Sequence, residues 1–193
     1  MDTIIIIGLG NPGEQFKKTW HNIGFLTIEN FKLKNEGFSD WKNEKKLLSE
    51  ISKGNFGNKK IILAKPQTFM NESGKAAKKI INNYQIPVTN LWVVHDDLDI
   101  PLGKLKIIKN RGSAGHKGIN SIVKELGTKN FVRFRVGTQP KNGKPKSVEK
   151  FVLEKFSKED EKIVKESINK TVEAIEFGLE NDVEKAMNIF NKN

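Results

Sequence analysis

There is no cysteine in this chain, which removes disulfides, thiolate metal sites and cysteine nucleophiles and fits a reducing compartment. Long hydrophobic runs are missing too. The most apolar stretch, Ile4–Ile7, follows an acidic Asp2 rather than a basic segment and is too short for a signal peptide or a membrane span. It reads as a buried strand, and the N-terminus is expected to carry no export signal. No G-x-S-x-G is present, because Arg111 stands where a nucleophilic Ser113 would need the first glycine. Acidic residues are depleted in one place. Segment 104–150 holds 13 basic and 2 acidic residues, against 14 and 11 in 1–103 and 7 and 10 in 151–193. The net charge of +11 therefore equals the surplus of that one segment. Such a block reads either as a solvated face or as a surface that tracks nucleic-acid phosphates, whose binding would be salt-sensitive.

With 193 residues, 36% of them hydrophobic, the chain is long enough for one ordinary globular core, and a single domain over 1–193 is expected. Ile4–Gly8 predicts a strand running into a glycine-rich loop, and Ile23, Leu26, Ile28 and Phe31 predict a helix after it. Leu47–Lys53 and Lys59–Lys65, separated by GNFGN, predict a hairpin. Ser73–Tyr84 has the composition of a helix that Pro87 closes off. Leu91–His95 predicts a second apolar strand, Lys104–Lys109 a basic strand, Ile119–Leu126 a helix, and Phe131–Thr138 a strand with alternating Arg133 and Arg135. Lys158–Phe190 predicts one or two amphipathic helices. Strands alternating with helices indicate an α/β fold with a mixed, twisted sheet covered by helices on both faces. Ligands gather beyond the carboxyl ends of strands in such sheets, where Asn11, Asn71 and Asp96 fall.

GLGNPG has the glycine spacing of a dinucleotide loop, but Pro12 and the polar QFKKTWHN insert delay the helix by about ten residues, which takes its N-terminus away from a phosphate. The loop reads instead as a tight turn or as a place where Asn11 reads an amide. His21 lies in a polar loop before an amphipathic helix. With no cysteine and no G-x-S-x-G, a covalent nucleophile is hard to nominate, and general-base activation of water by a histidine is the economical chemistry. Asp96, Asp97 and Asp99 read as a divalent-cation cluster, as turn chemistry before Pro101, or as the source of one carboxylate that orients His21. Successive strand residues point to opposite faces, which disfavours the first option. Asn71 reads as a helix cap beside Ser73 or as a substrate amide. Phe69 and Met70 read as partly core.

Taken with RFRVG (Arg133–Gly137) and SVEKFVLEKFSKED (Ser147–Asp160), the motifs GLGNPG (Gly8–Gly13), TWHNIGF (Thr19–Phe25), KPQTFMNESG (Lys65–Gly74) and HDDLD (His95–Asp99) resemble, in order and spacing, the bacterial-type peptidyl-tRNA hydrolases. The resemblance spans nearly the whole chain. It implies a monomeric cytoplasmic enzyme, without metal or cofactor, that hydrolyses the ester between a peptide and the tRNA 3′ ribose and so frees tRNA for reuse. By position, His21 matches the family base and Asp96 its partner. Asn11 matches the residue that helps distinguish peptidyl-tRNA from aminoacyl-tRNA, Asn71 a substrate-positioning amide, and Phe16 and Phe69 positions that contact the acceptor end. Acceptor-stem phosphates would lie on Lys104, Lys106, Lys109, Arg111, Arg133 and Arg135. Two positions depart from the pattern: Phe16 stands where the family usually has tyrosine, and in AGHKGI (Ala114–Ile119) Lys117 replaces an asparagine that contacts substrate. The alternative is a non-enzymatic RNA-binding relative of the same fold.

Overall fold

The four isoleucines Ile4–Ile7 form the middle of strand β1 (Thr3–Gly8) and are almost completely buried. Successive strand residues point to opposite faces. Ile4 and Ile6 accordingly enter one hydrophobic cluster and Ile5 and Ile7 another. A strand buried on both faces has no polar side, which is why its sequence is an unbroken apolar run. The computed structural model describes residues 2–192, so Met1 and Asn193, the two ends of the expected domain, lie outside the described residues.

After β1 come α1 (Ile23–Lys34), β2 (Lys42–Glu44), β3 (Ser49–Phe56), β4 (Lys59–Pro66), α2 (Ser73–Tyr84), β5 (Leu91–Pro101), β6 (Leu105–Lys109), α3 (Lys117–Leu126), β7 (Val132–Gln139), α4 (Val148–Phe151), α5 (Lys158–Glu180) and α6 (Val183–Phe190). The seven strands form one sheet in the order β2-β3-β4-β1-β5-β7-β6. Its centre is parallel, with β1 between β4 and β5 and β7 beside β5. The β2–β3, β3–β4 and β6–β7 pairs are antiparallel. Ile28 and Phe31 of α1 and Val172 and Ile175 of α5 pack on the Ile6 face, while Ala77 and Ile80 of α2 and Ile119 and Ile122 of α3 pack on the Ile5 face. This is the expected mixed sheet with helices on both sides. Among the described residues no helix is long and apolar enough to cross a membrane.

Three expectations are corrected in detail. The GNFGN connection is shorter than predicted, because Gly54, Asn55 and Phe56 remain paired in β3 and only Gly57 and Asn58 turn, Gly57 taking φ 56°. Leu47 lies in a short 3₁₀ turn ahead of β3. Strand β5 does not stop at His95: Asp96 pairs with Val136 and Asp97 with Gly137 of β7, so the HDDLD motif is strand and not the loop after one.

Gly8 of GLGNPG and Gly24 of TWHNIGF serve backbone approach. A Cβ on Gly8 would lie 2.3 Å from the Gly24 carbonyl oxygen, and one on Gly24 would lie 2.4 Å from both the Leu9 nitrogen and the Val94 carbonyl oxygen. The first turn of α1 is thereby pressed against the end of β1 and against β5 at Val94, and the residues just before it are carried to the carboxyl edge of the sheet. Gly24→Ala is expected to destabilise the fold by about 1–3 kcal/mol, as overpacking does when the obstructing atoms are backbone. Urea unfolding would register this as a lower midpoint, and an unchanged midpoint would mean that α1 can retreat freely.

Candidate active site

A crevice of about 560 Å³ opens at the carboxyl edge of the parallel strands. Its polar floor is assembled from loops that the sheet brings together. Asn11, in the loop after β1, is clamped by Asn22: its N–H donates to Asn22 Oδ1 and its carbonyl accepts from Asn22 Nδ2, both at 2.9 Å. The Asn11 side-chain oxygen accepts the Met70 N–H at 2.8 Å. That fixes the amide, leaving its Nδ2 donor without a partner among the described residues and lining the crevice.

His21 sits in the 3₁₀ turn Trp20–Asn22 that leads into α1. Its N–H donates to the Val152 carbonyl at 2.9 Å, and Trp20 stacks on Phe151 with ring centroids 5.3 Å apart. The imidazole Nδ1 lies 2.9 Å from Asp96 Oδ2. The other carboxylate oxygen of Asp96 lies 2.9 Å from His116 Nε2, so one buried aspartate holds two histidines. The tautomers follow from the partners. His116 Nδ1 accepts the Ile119 N–H at the start of α3, so its Nε2 carries the proton that goes to Asp96. An ionised Asp96 likewise accepts a hydrogen bond from the His21 Nδ1–H, which leaves His21 Nε2 unprotonated on the crevice side. Burial opposes ionisation of Asp96, but the electrostatic attraction and hydrogen bonds of the two imidazole N–H groups outweigh it and hold the carboxyl well below the usual carboxylate range. Beneath them His95 is completely buried; its Nδ1 donates to the Asp96 carbonyl at 2.7 Å and its ring meets His116 edge-on at 4.6 Å. Burial pushes its imidazole well below the ordinary value, so it stays neutral.

The three aspartates of HDDLD do not converge on one point. Asp97, on the opposite pleat, accepts from Arg135 Nε at 2.7 Å and from the Asp99 N–H at 2.9 Å, while Asp99 pairs with Lys144 at 2.8 Å. The three-carboxylate cation reading is therefore corrected. A different group, His21, Asp96 and His116, brings three donor atoms within 4.8 Å of one another. Both Asp96 oxygens in that group are already taken by imidazole nitrogens.

Asn71, Phe69 and Lys117 line the crevice with Asn11, His21 and Asp96, whereas Phe16, half-buried at the end of the turn Glu14–Phe16, does not. Met70 is buried as expected, but Phe69 is 59% exposed and belongs to the crevice wall instead of the core. Leu98, Val148, Val152 and Leu153 add an apolar stretch to that wall. Lys117 is the first residue of α3, and its ammonium pairs with Glu149 at 2.7 Å. Of the basic candidates, Lys104, Lys106 and Arg111 are exposed and Lys109 is half-buried, 3.9 Å from Glu184. Lys106 stands directly opposite Arg135 across β6 and β7. Arg133 is a correction: it is 1% exposed, and its guanidinium donates to the carbonyls of Arg111 and Gly112. It braces the loop ahead of α3 and cannot meet a phosphate. Sequence reasoning missed His116, whose only local signal is a histidine at the start of the Ile119–Leu126 helix pattern.

The family profile described as Peptidyl-tRNA hydrolase matches residues 5–193. The peptidyl-tRNA hydrolase of Aquifex aeolicus is 40% identical, with 100% of this chain and 98% of the relative covered. That of Thermoanaerobacter sp. is 43% identical, covering 97% and 98%. Among solved structures, the crystal structure of peptidyl-tRNA hydrolase from Acinetobacter baumannii superposes with a TM-score of 0.90 at 30% identity, covering 98% of this chain and 94% of that one.

Proposed function

The chain belongs to the peptidyl-tRNA hydrolase family and hydrolyses the ester that joins a peptide to tRNA, and we propose that it does so with His21 as general base and Asp96 as the group that orients it and stabilises its protonated form. The observation that carries this reading is the His21–Asp96 hydrogen bond of 2.9 Å, which leaves Nε2 free at the crevice. A water proton passes to Nε2 and the hydroxyl adds to the ester carbonyl. The tetrahedral intermediate then expels the ribose 3′ oxygen, which takes the proton back from the imidazolium. Asp96 stabilises that imidazolium between the two transfers.

Asn71 orients the peptide and donates to the developing oxyanion, and the fixed Asn11 amide offers its Nδ2 to a peptide carbonyl. Phe69 and the apolar wall of Val148, Val152 and Leu153 suit peptide side chains and a terminal base. The acceptor stem lies along Lys104, Lys106 and Arg111, with Arg135 reached beside Lys106. We read the enzyme as a monomer, and a tRNA-linked substrate supports a place in the cytoplasm. A non-enzymatic relative would not require the unprotonated Nε2 that the His21–Asp96 bond leaves at the crevice.

Peptide release from peptidyl-tRNA, followed beside binding of uncharged tRNA over a salt series, tests the whole reading. Lys106→Ala is expected to weaken binding and make the slope of log affinity against log salt shallower by about 0.7–0.9, the value of one lost phosphate contact. An unchanged slope would return Lys106 to the solvated face.

A further inference from the structure

Lys117 and Glu149 close the mouth of the crevice from two sides. Lys117 begins α3 and Glu149 lies in α4, and both line the cavity. Their charged atoms are 2.7 Å apart, yet the side chains remain 58% and 76% exposed. A second pair, Lys144 with Asp99 at 2.8 Å, ties the loop before α4 to the end of β5. The segment held by these two contacts also supplies Val148, Val152 and Leu153 of the apolar wall. Glu149 is one of only two acidic residues in 104–150. The other, Glu125, faces Lys78 of α2, away from that wall. Glu149 is thus the one acidic residue of 104–150 at the crevice, and it is set on Lys117.

We propose that Glu149 is an internal stand-in for a substrate phosphate, occupying Lys117 in the free enzyme and yielding it when a phosphate near the tRNA 3′ end reaches the crevice mouth. The inference rests on the reading that this crevice receives the ester-bearing end of peptidyl-tRNA. An exposed ion pair contributes little to stability, so it exchanges readily. Lysine is a compact point charge with three donors and no fixed fork, and it accepts a phosphodiester oxygen as well as a carboxylate oxygen. A ligand that brings a phosphate replaces Glu149 charge for charge. A peptide ester without one leaves the latch in place, which makes Lys117 and Glu149 specificity-determining residues for tRNA-linked substrates.

The test is a double-mutant cycle on KM for peptidyl-tRNA and Kd for uncharged tRNA, comparing the unchanged enzyme, Glu149→Gln, Lys117→Asn and the double variant. Glu149→Gln is expected to lower both constants about two- to fivefold at low salt. The gain should shrink as salt screens the pair, and should vanish in the Lys117→Asn background. Equal constants for Glu149→Gln and the unchanged enzyme would overturn the latch. So would a gain that persists without Lys117, since Glu149 would then act only by repelling phosphates. Failure of the unchanged enzyme to release peptide would instead remove the underlying reading of the crevice, an outcome seen before any variant is compared.

Discussion

His21→Ala is expected to lower kcat for peptide release by about 10²–10⁴, the usual contribution of a positioned general base, while the Kd for uncharged tRNA stays within about twofold. The loss should fall on kcat because in the proposed mechanism His21 Nε2 meets only the attacking water, so that no contact to tRNA is lost. His116 cannot take over. Its Nε2 is committed to Asp96 at 2.9 Å and its Nδ1 accepts the Ile119 N–H of α3. Freeing either nitrogen would leave the aspartate with one partner fewer or the helix start without its cap. Single-turnover release from peptidyl-tRNA, with tRNA binding measured in parallel, separates the two effects. A rate near that of the unchanged enzyme would reject the mechanism.

Asp96→Asn should cost less, about 1.5–3 kcal/mol or roughly 10- to 150-fold in kcat, the range for hydrogen bonds to a charged group. Both Asp96 oxygens accept imidazole protons, and an asparagine keeps only one acceptor. If its oxygen faces His21, its NH₂ opposes the His116 Nε2 proton, which the α3 cap holds in place. If its oxygen faces His116, His21 must turn its proton to Nε2, where it can no longer act as a base. Either arrangement also removes the negative charge that steadies the imidazolium. Asp97→Asn is the control, because Asp97 faces Arg135 and the Asp99 N–H on the other pleat. It should leave kcat within a few-fold and act mainly on tRNA affinity through Arg135. Greater sensitivity at Asp97 than at Asp96 would reverse the assignment within HDDLD.

Much of this molecule is written in local pattern. The Ile4–Ile7 run, the Ser73–Tyr84 helix and the amphipathic C-terminal helices follow from the periods of strand and helix, which neighbouring residues alone set. The separation of Asp96 from Asp97 follows in the same way from the two-residue period of a strand. His21 and Asn11 were legible because each is a polar residue in a loop at the edge of an apolar element, in a chain with neither cysteine nor G-x-S-x-G.

Other features depend on partners that no local window contains. Strand β5 extends through HDDLD because β7 continues to pair with it. His116 joins the site because it reaches an aspartate twenty positions earlier, which itself binds a histidine 75 positions before it. Arg133 and Arg135 look alike in sequence, but one is enclosed by the Arg111–Gly112 carbonyls and the other faces Asp97. Lys117 and Glu149 become a pair only when α3 and α4 meet at the crevice. The sequence alone determined most of the longer elements, the two-faced core and the chemical types available to the site, because these depend on backbone period and side-chain character. Tertiary structure decided which donors meet which acceptors, because hydrogen bonds and ion pairs act within about 3 Å while the residues that form them are brought together from distant parts of the chain.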